Sequence, residues 1–439
     1  MPRTRIWIQP VAALLLMGPA AACTTTADLI TAAPPRAGAL FTTYVALGNS
    51  ITAGFQSGGI NDSTQRESYA ALLAGAMGTR FALPLLAMPG CPPPVDNALT
   101  QHRVGGGTDA SCALREPSSA MAVINDVAVP GATSRDLIAP AAPSANLLTQ
   151  LILGGETQVQ RALEADPTFV SVWIGNNDVL DAATSGVLTA TPGISPGFTP
   201  PDTFAARYET MMAALRRAPH LKGGVLIGVV DVARIPLLFP ATALLDNAAF
   251  KAAFDQAAGT TVRVLDNCAG STSRISLAII AQIHSGAQPA TIGCEKNSVP
   301  GTAVGDVFVL DADEQATIHA IVAAYNAEIS RQAADAGFAY LDPNAVLDTL
   351  EQSGAIPAIP DPGSATHPFG RYISLDGIHP ARPAHALVAN LLIDVINAKC
   401  GTAIPHVAPW SARDAWGRNG ARWSCSPSPV GLALHPMRE

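Results

Sequence analysis

The stretch "YVALGNSITAGF", residues 44–55, decides how this chain is interpreted. Four apolar or aromatic residues lead into Gly-Asn-Ser, and a second glycine follows, which is typical of a strand that ends in a turn. Ser50 stands at that turn. A serine in such a place is an ordinary turn residue in many proteins, so its role depends on what the rest of the chain places beside it.

Length and composition narrow the class of protein. The chain has 439 residues, enough for one large domain or two ordinary ones. Hydrophobic residues make up 48% and charged residues 14%, which favours a sizeable core and excludes a disordered chain. The net charge of −8 argues against a nucleic-acid partner.

The first residues have the order of a secretory signal. Two arginines precede a short apolar stretch that ends in small residues, so we expect residues 1–22 to be a signal peptide, too short and interrupted for a membrane span. Cys23 follows, as in a bacterial lipoprotein, where this cysteine is lipidated and tethers the protein to the membrane. The usual Leu three residues earlier is Ala20 here, and ordinary signal-peptidase cleavage is the alternative. Residues 23–40 are expected to form a tether.

The cysteines also favour export, either to the bacterial cell envelope or into the medium. Apart from Cys23, the chain has three neighbouring couples: Cys91 and Cys112, Cys268 and Cys294, Cys400 and Cys425. In an exported protein these are disulfide candidates, and pairing within each couple is our expectation, although sequence does not fix connectivity. A zinc site is the alternative, but no Cys-x-x-Cys or His-Glu-x-x-His motif is present.

Strand and helix patterns alternate along the body of the chain. Apolar runs of strand length occur at 43–47, 123–129, 168–174, 224–230 and 338–341. Most are continuous rather than alternating, which indicates strands buried on both faces of a parallel sheet. We therefore predict an α/β domain over residues 41–400 with a mostly five-stranded parallel sheet.

Three segments between or after these runs have helical periodicity. The first has its apolar face at Phe204, Tyr208, Met211 and Leu215. The second has its face at Ile318, Ile321, Val322, Tyr325 and Ile329, and is predicted to stop at Gly337. The third has its face at Ala384, Leu387, Val388, Leu391, Leu392 and Val395.

Two regions do not fit the alternation. Residues 235–305 are predicted to be an insertion, whose apolar start could line an acyl-binding cleft, form a lid or simply be core. Residues 401–439 form a tail with Trp410, Trp416 and Trp423, which would pack on the body or, alternatively, offer a carbohydrate platform.

Chemically useful residues follow each predicted strand. In open α/β sheets, ligands bind at the carboxyl ends of the strands. Those ends carry Ser50, then Gly131, then Asn176, Asn177 and Asp178, then Asp231, and finally Asp376 and His379. We expect them to converge on one rim.

Together these residues could perform acyl transfer. His379 could act as the base for a nucleophilic Ser50, and Asp376 could hold the imidazole in the right tautomer. The negative charge that develops on oxygen needs fixed donors, and the N–H groups of Ser50 and Gly131 with the Asn177 amide could supply them as an oxyanion hole.

Four blocks, "GNSITAG", "VPGATS", "GNND" and "DGIHP", resemble those of the SGNH, or GDSL-type, hydrolase family. The resemblance spans about residues 44–397 and places Ser50 as nucleophile, Gly131 and Asn177 in the oxyanion blocks, and Asp376 and His379 in the last block. It implies a flavodoxin-like three-layer α/β/α fold and ester hydrolysis without a metal or cofactor. The family's usual Asp before the serine is Asn49 here, which could still hydrogen-bond within the turn.

Other titratable residues have less specific interpretations. Asp178 and Asp231 are rival partners for His379. His319 and His385 lie in predicted helices and are expected to be structural or surface residues. His367 lies near the Asp376 loop and could contact substrate.

The sequence thus predicts a serine hydrolase, an esterase or lipase, acting on lipid or small acyl esters, with acetylated glycans as a further possibility. An acyltransferase that uses the same acyl-enzyme, or a non-catalytic binding lipoprotein, are the alternatives. We expect a monomer with no nucleic-acid partner.

Overall fold

The computed structural model describes residues 38–113, 123–139, 147–190, 197–295, 298–299 and 307–408. The predicted signal peptide, Cys23, residues 24–37 of the tether, Cys425 and the three tail tryptophans lie outside these ranges. None of the described helices combines the length and apolar content that a bilayer crossing requires.

The described strands are β1 (Tyr44–Gly48), β2 (Val95–Asn97), β3 (His102–Arg103), β4 (Phe169–Trp173), β5 (Gly223–Ile227), β6 (Leu238–Pro240), β7 (Arg263–Val264), β8 (Arg274–Ser276), β9 (Thr291–Ile292), β10 (Val309–Leu310) and β11 (Ala339–Leu341). The described α-helices are α1 (Ser50–Ala53), α2 (Asp62–Arg66), α3 (Tyr69–Met77), α4 (Leu147–Leu153), α5 (Gln158–Glu164), α6 (Leu180–Ser185), α7 (Pro201–Leu215), α8 (Ala243–Asp246), α9 (Ala248–Ala258), α10 (Ile279–His284), α11 (Ala312–Ala336), α12 (Asn344–Gln352) and α13 (Arg382–Cys400).

The central sheet has four parallel strands in the order β1-β4-β5-β11. The fifth predicted strand, 123–129, is not a regular strand but pairs with β1 in parallel: the Ala46 N–H donates to the Asn125 carbonyl at 2.8 Å, the Val127 N–H donates to the Ala46 carbonyl at 2.9 Å, and Asp126 bridges Ala46. The Asn125 side chain accepts from the Ala82 N–H at 2.9 Å and that of Asp126 from the Ala128 N–H at 3.1 Å. The segment still lies on the far side of β1 from β4, which gives a flavodoxin-like order.

Successive side chains of the strands point to opposite faces of this sheet, and each face has its own core. On one face, Val45 and Leu47 join an apolar cluster with side chains of α5, α7 and α11. On the other, Tyr44 and Ala46 join a cluster with side chains of α3 and α13. The result is the three-layer α/β/α arrangement that the resemblance implied.

The predicted helices are present, and one has a different buried face. Helix α7 buries all four predicted residues, and α11 ends at Gly337, whose φ of +70° suits glycine. The face predicted for α13 is partly wrong, because Leu387, Val388, Leu391 and Val395 are only half-buried. The buried face of α13 is instead Ala384, His385, Ala389, Leu392, Ile393 and Ile396. It is rotated from the predicted one because Val388 and Leu391 border an open cavity.

The described part of residues 238–310 has a separate small core. Strands β10-β8-β6 form an antiparallel sheet, and Phe239, Phe250 and Phe254 pack with the Cys268–Cys294 disulfide. Directly before this region, the Leu237 N–H donates to the Gly377 carbonyl, in the segment that precedes α13, at 2.9 Å.

Candidate active site

Ser50 opens α1 directly after β1, at the carboxyl edge of the central sheet. The Asn49 side chain caps the helix by accepting from the Ile51 N–H at 3.0 Å, so Asn49 does brace the turn. Gly48 is required for close packing, because a side chain there would collide with Thr52 and the Trp173 carbonyl. These contacts fix the direction in which Ser50 leaves the strand.

A chain of two hydrogen bonds joins the serine, histidine and aspartate that the sequence singled out. Ser50 Oγ lies 2.9 Å from His379 Nε2, and His379 Nδ1 lies 2.8 Å from Asp376 Oδ2. The Phe55 ring lies against the imidazole, with 4.9 Å between centroids. The side chains of His379 and Asp376 are only 12% and 15% exposed, which limits competition from water.

The Asp376 carboxylate accepts an unusually large set of hydrogen bonds. Oδ1 accepts from the Ser374 hydroxyl and from the N–H groups of Ile378 and His379, while Oδ2 accepts from His379 and from the Gly58 N–H at 2.8 Å. Burial by itself would raise the pKa of Asp376, but the charge of His379 and these bonds outweigh it and hold that pKa well below its usual range. The carboxylate therefore stays ionised beside the imidazole.

A turn far away in sequence supports this carboxylate, and sequence reasoning missed it. The Ser57 N–H donates to Ser374 Oγ at 2.9 Å, and the Leu375 N–H donates to Ser57 Oγ at 3.3 Å. The Arg103 guanidinium in turn donates to the Gly58 carbonyl at 2.9 Å. Each of these bonds joins a side chain to a backbone group of a residue distant in sequence, and no motif marks such a pair.

The two predicted oxyanion residues from other blocks are placed differently. Asn177 Nδ2 donates to the Ala132 carbonyl at 2.8 Å, and Asn177 lines the same cavity as Ser50. Gly131 precedes Ala132, has a φ of +81°, is exposed and does not line that cavity. The Asn177–Ala132 bond thus ties the third block to the second.

The rival aspartates have other partners. Asp178 accepts from both the N–H and the hydroxyl of Ser134, at 2.7 and 2.6 Å. Burial raises the pKa of Asp178, although these two hydrogen bonds act to lower it. Asp231 lies 2.6 Å from His319 Nδ1. Asp376 is therefore the carboxylate that reaches His379 Nδ1.

The remaining histidines differ in burial. His385 is fully buried in α13 and accepts from the Tyr69 N–H at 3.2 Å, while its Nε2 has no partner among the described residues. Burial, with the nearby charge of His379 adding to it, lowers the pKa of His385 to about 3. His367 is exposed and lies 2.8 Å from the Thr366 hydroxyl, which leaves its role a prediction.

Two disulfides are present, Cys91–Cys112 and Cys268–Cys294. Cys400 forms none with a described residue, and its expected partner Cys425 lies outside the described ranges. Within those ranges, no group of three or more His, Cys, Asp or Glu side chains is arranged to hold a metal ion.

A cavity opens beside Ser50 and His379. Asn176, Asn177 and Tyr372 add polar groups to its lining, and its other side chains are apolar. Among the described residues of the predicted insertion, only Ile235 and Pro236 take part. Leu238 and Phe239, which follow closely, are buried in core clusters instead.

Comparison with known proteins gives a family match that covers most of the chain. A family model described as GDSL-like lipase/acylhydrolase matches residues 44–392. A search of curated proteins found no match. Among solved structures, a variant of an acetylxylan esterase from Geobacillus stearothermophilus is 13% identical, with 81% of this chain and 94% of that chain covered and a TM-score of 0.34. An extracellular lipase from Streptomyces rimosus is 16% identical, with 82% and 99% covered and a TM-score of 0.33.

Proposed function

This chain belongs to the GDSL-like lipase/acylhydrolase family, and on that premise we propose that it hydrolyses carboxylic esters through an acyl-enzyme formed on Ser50. The observation that carries the proposal is the chain of hydrogen bonds from Ser50 Oγ to His379 Nε2 and from His379 Nδ1 to Asp376. It provides a nucleophile, a base within reach and an ionised group that orients the base.

In the first half-reaction, His379 Nε2 takes the Ser50 proton as Oγ attacks the ester carbonyl carbon. The imidazolium that forms is stabilised by Asp376, whose low pKa keeps it charged. His379 then gives the proton to the alcohol oxygen as the carbon–oxygen bond breaks. In the second half-reaction a water molecule gives a proton to His379 Nε2 as its oxygen attacks the acyl carbon. The bond between that carbon and Ser50 Oγ then breaks, His379 returns the proton to Oγ, and the carboxylic acid leaves.

Three donors are proposed to stabilise the oxyanion. The Ser50 N–H lies in the first turn of α1, where backbone N–H groups have no acceptor within the helix. An amide nitrogen carries two hydrogens, so Asn177 can hold the Ala132 carbonyl with one and the oxyanion with the other. Gly131 would add its N–H from the adjoining turn. Loss of one such donor typically lowers kcat by about 10²–10³-fold.

We further propose that the protein is exported and acts as a monomer, with Cys23 as the lipidation candidate. Support for export comes from the two disulfides, which persist in oxidising compartments.

A fluorophosphonate probe and a p-nitrophenyl ester test the mechanism together. We expect the probe to label Ser50 in the folded protein, and we expect Ser50→Ala to abolish labelling and lower kcat by on the order of 10⁴–10⁶-fold. Ser63→Ala, a change at an exposed serine of α2, serves as the control. Labelling or turnover that survives in Ser50→Ala would place the nucleophile elsewhere.

A further inference from the structure

Helix α12 has an apolar stripe that packs into no core. Val346, Leu347 and Leu350 are half-buried, and none of them belongs to the apolar clusters on either face of the sheet. All three line the cavity beside Ser50. The polar side of the helix is held separately, by Arg234, which pairs with Asp348 at 2.7 Å and with Glu351. The helix is thus anchored with its apolar stripe facing open space.

Helix α13 presents a matching stripe to the same cavity. Ala384, Val388 and Leu391 recur at intervals of four and three residues, which places them on one side of the helix. Leu341 at the end of β11 and Trp173 at the end of β4 also line the cavity. Apolar side chains of two helices and of the sheet edge therefore enclose a space that begins at the nucleophile.

We propose that this cavity holds the acyl chain of the substrate, and that the preferred substrate is an ester of an unbranched medium-chain acid. The inference rests on the function proposed above, since it takes Ser50 as the attacking group. A pocket with an apolar lining and a few polar groups at one point suits a ligand that has one polar carbonyl and an alkyl chain. Burial of each methylene contributes to binding, because apolar surface is removed from water.

The order of product release indicates that the cavity holds the acyl part of the ester rather than the alcohol part. The alcohol leaves first, and its oxygen must sit next to His379 Nε2 to receive the proton. The acyl part stays bonded to Ser50 until water arrives. An apolar cavity would retain a long alcohol and delay its release, whereas it would hold an acyl chain in place for deacylation.

The length of the α13 stripe sets the expected chain length. Seven residues separate Ala384 from Leu391, which corresponds to a rise of about 10 Å along the helix. With carbon–carbon bonds of about 1.5 Å in a zigzag, an extended chain of about eight carbons covers that distance.

Two ester series test the proposal. The first consists of p-nitrophenyl esters from acetyl to hexadecanoyl below their aggregation limits, and the second of acetates of alcohols of the same lengths. We expect kcat/KM to rise at least tenfold from acetyl to octanoyl in the first series and then to level off or fall. In the second series we expect little dependence on length. A maximum at acetyl, or a length dependence confined to the alcohol series, would overturn the acyl assignment.

A matched pair of substitutions on α13 tests the location. Val388→Trp should fill the cavity and lower the octanoyl-to-acetyl ratio of kcat/KM at least tenfold. Val395→Trp, at a half-buried position two turns along that does not line the cavity, should leave the ratio unchanged. An unchanged ratio in Val388→Trp, with octanoyl ester still preferred, would place the acyl chain elsewhere.

Labelling of Ser50 by the fluorophosphonate probe distinguishes failure of the acyl site from failure of the proposed ester hydrolysis. A labelled enzyme that prefers acetyl esters contradicts the acyl site but leaves ester hydrolysis standing. A folded protein that is neither labelled nor active on any ester contradicts the proposed function and the acyl site with it.

Discussion

Two regions border the cavity and are built in opposite ways. The His379 loop, residues 374–379, is held by several hydrogen bonds to one carboxylate and by a turn at Ser57 and Gly58. The α12 wall, formed by Val346, Leu347 and Leu350, is anchored by ion pairs on its other side and packs into no core cluster. The groups proposed for chemistry are held by hydrogen bonds, whereas the side chains proposed for binding line a cavity and pack into no core cluster.

Within the His379 loop, the largest expected effect comes from a change at its carboxylate. Asp376→Asn keeps the size of the side chain but removes the charge that supports the imidazolium and the correct tautomer. We expect kcat for a p-nitrophenyl ester to fall by about 10³–10⁴-fold. Asp109→Asn, at an exposed position, is the control. A loss of less than tenfold would mean that another group orients His379.

The difference in packing between the core and the α12 wall can be measured as a difference in the free energy of unfolding. Leu392 on α13 is fully buried, so Leu392→Ala should lower the free energy of unfolding by about 2–5 kcal/mol. Leu350→Ala on the α12 wall should lower it by less than about 1 kcal/mol, since little packing is lost. Urea unfolding of both variants gives the comparison. Equal losses would show that the α12 wall is part of the core.

His385 links the stability of this site to pH. Its folded-state pKa of about 3 lies below the value of about 6.5 in an unfolded chain, so the unfolded state binds more protons between these values. The contribution of neutral His385 to the free energy of unfolding is therefore fully present above about pH 6.5. It is lost as the pH falls towards 3, by up to about 1.4 kcal/mol per pH unit.

His385→Asn tests this dependence, because it keeps an acceptor for the Tyr69 N–H and removes the titration. Free energies of unfolding measured from pH 7 to pH 4 should decline less steeply in the variant than in the parent protein. Parallel curves would assign the acid sensitivity to other groups.

The smallest expected effect on kcat concerns Arg103, which holds the turn that supports the His379 loop. Arg103→Ala removes the donor to the Gly58 carbonyl, and Gly58 donates to Asp376. We expect kcat to fall about tenfold with KM little changed, because Arg103 does not line the cavity beside Ser50. Arg80→Ala, at an exposed arginine, provides the control. A change in KM or in stability alone would reduce Arg103 to a structural role.

Much of the fold could be predicted from local patterns. Continuous apolar runs indicated β1, β4, β5 and β11, and helical periodicity indicated α7 and α11 with their buried faces. Residues 123–129 pair with β1 without forming a regular strand, and the buried face of α13 differs from the predicted one because Val388 and Leu391 border a cavity. The periodicity of a single segment does not show which of its apolar side chains the rest of the fold covers.

The sequence by itself determined which residue types follow each strand, and a parallel sheet brings the carboxyl ends of its strands to one edge. That was sufficient to single out Ser50, Asp376 and His379, although His379 lies 329 positions from Ser50. Only the tertiary structure decided what surrounds them. The Gly58 N–H reaches Asp376 across 318 positions through a backbone group that every residue except proline carries. The cavity exists because α12 and α13 leave a gap, and a gap between two helices is a property of their packing rather than of either sequence.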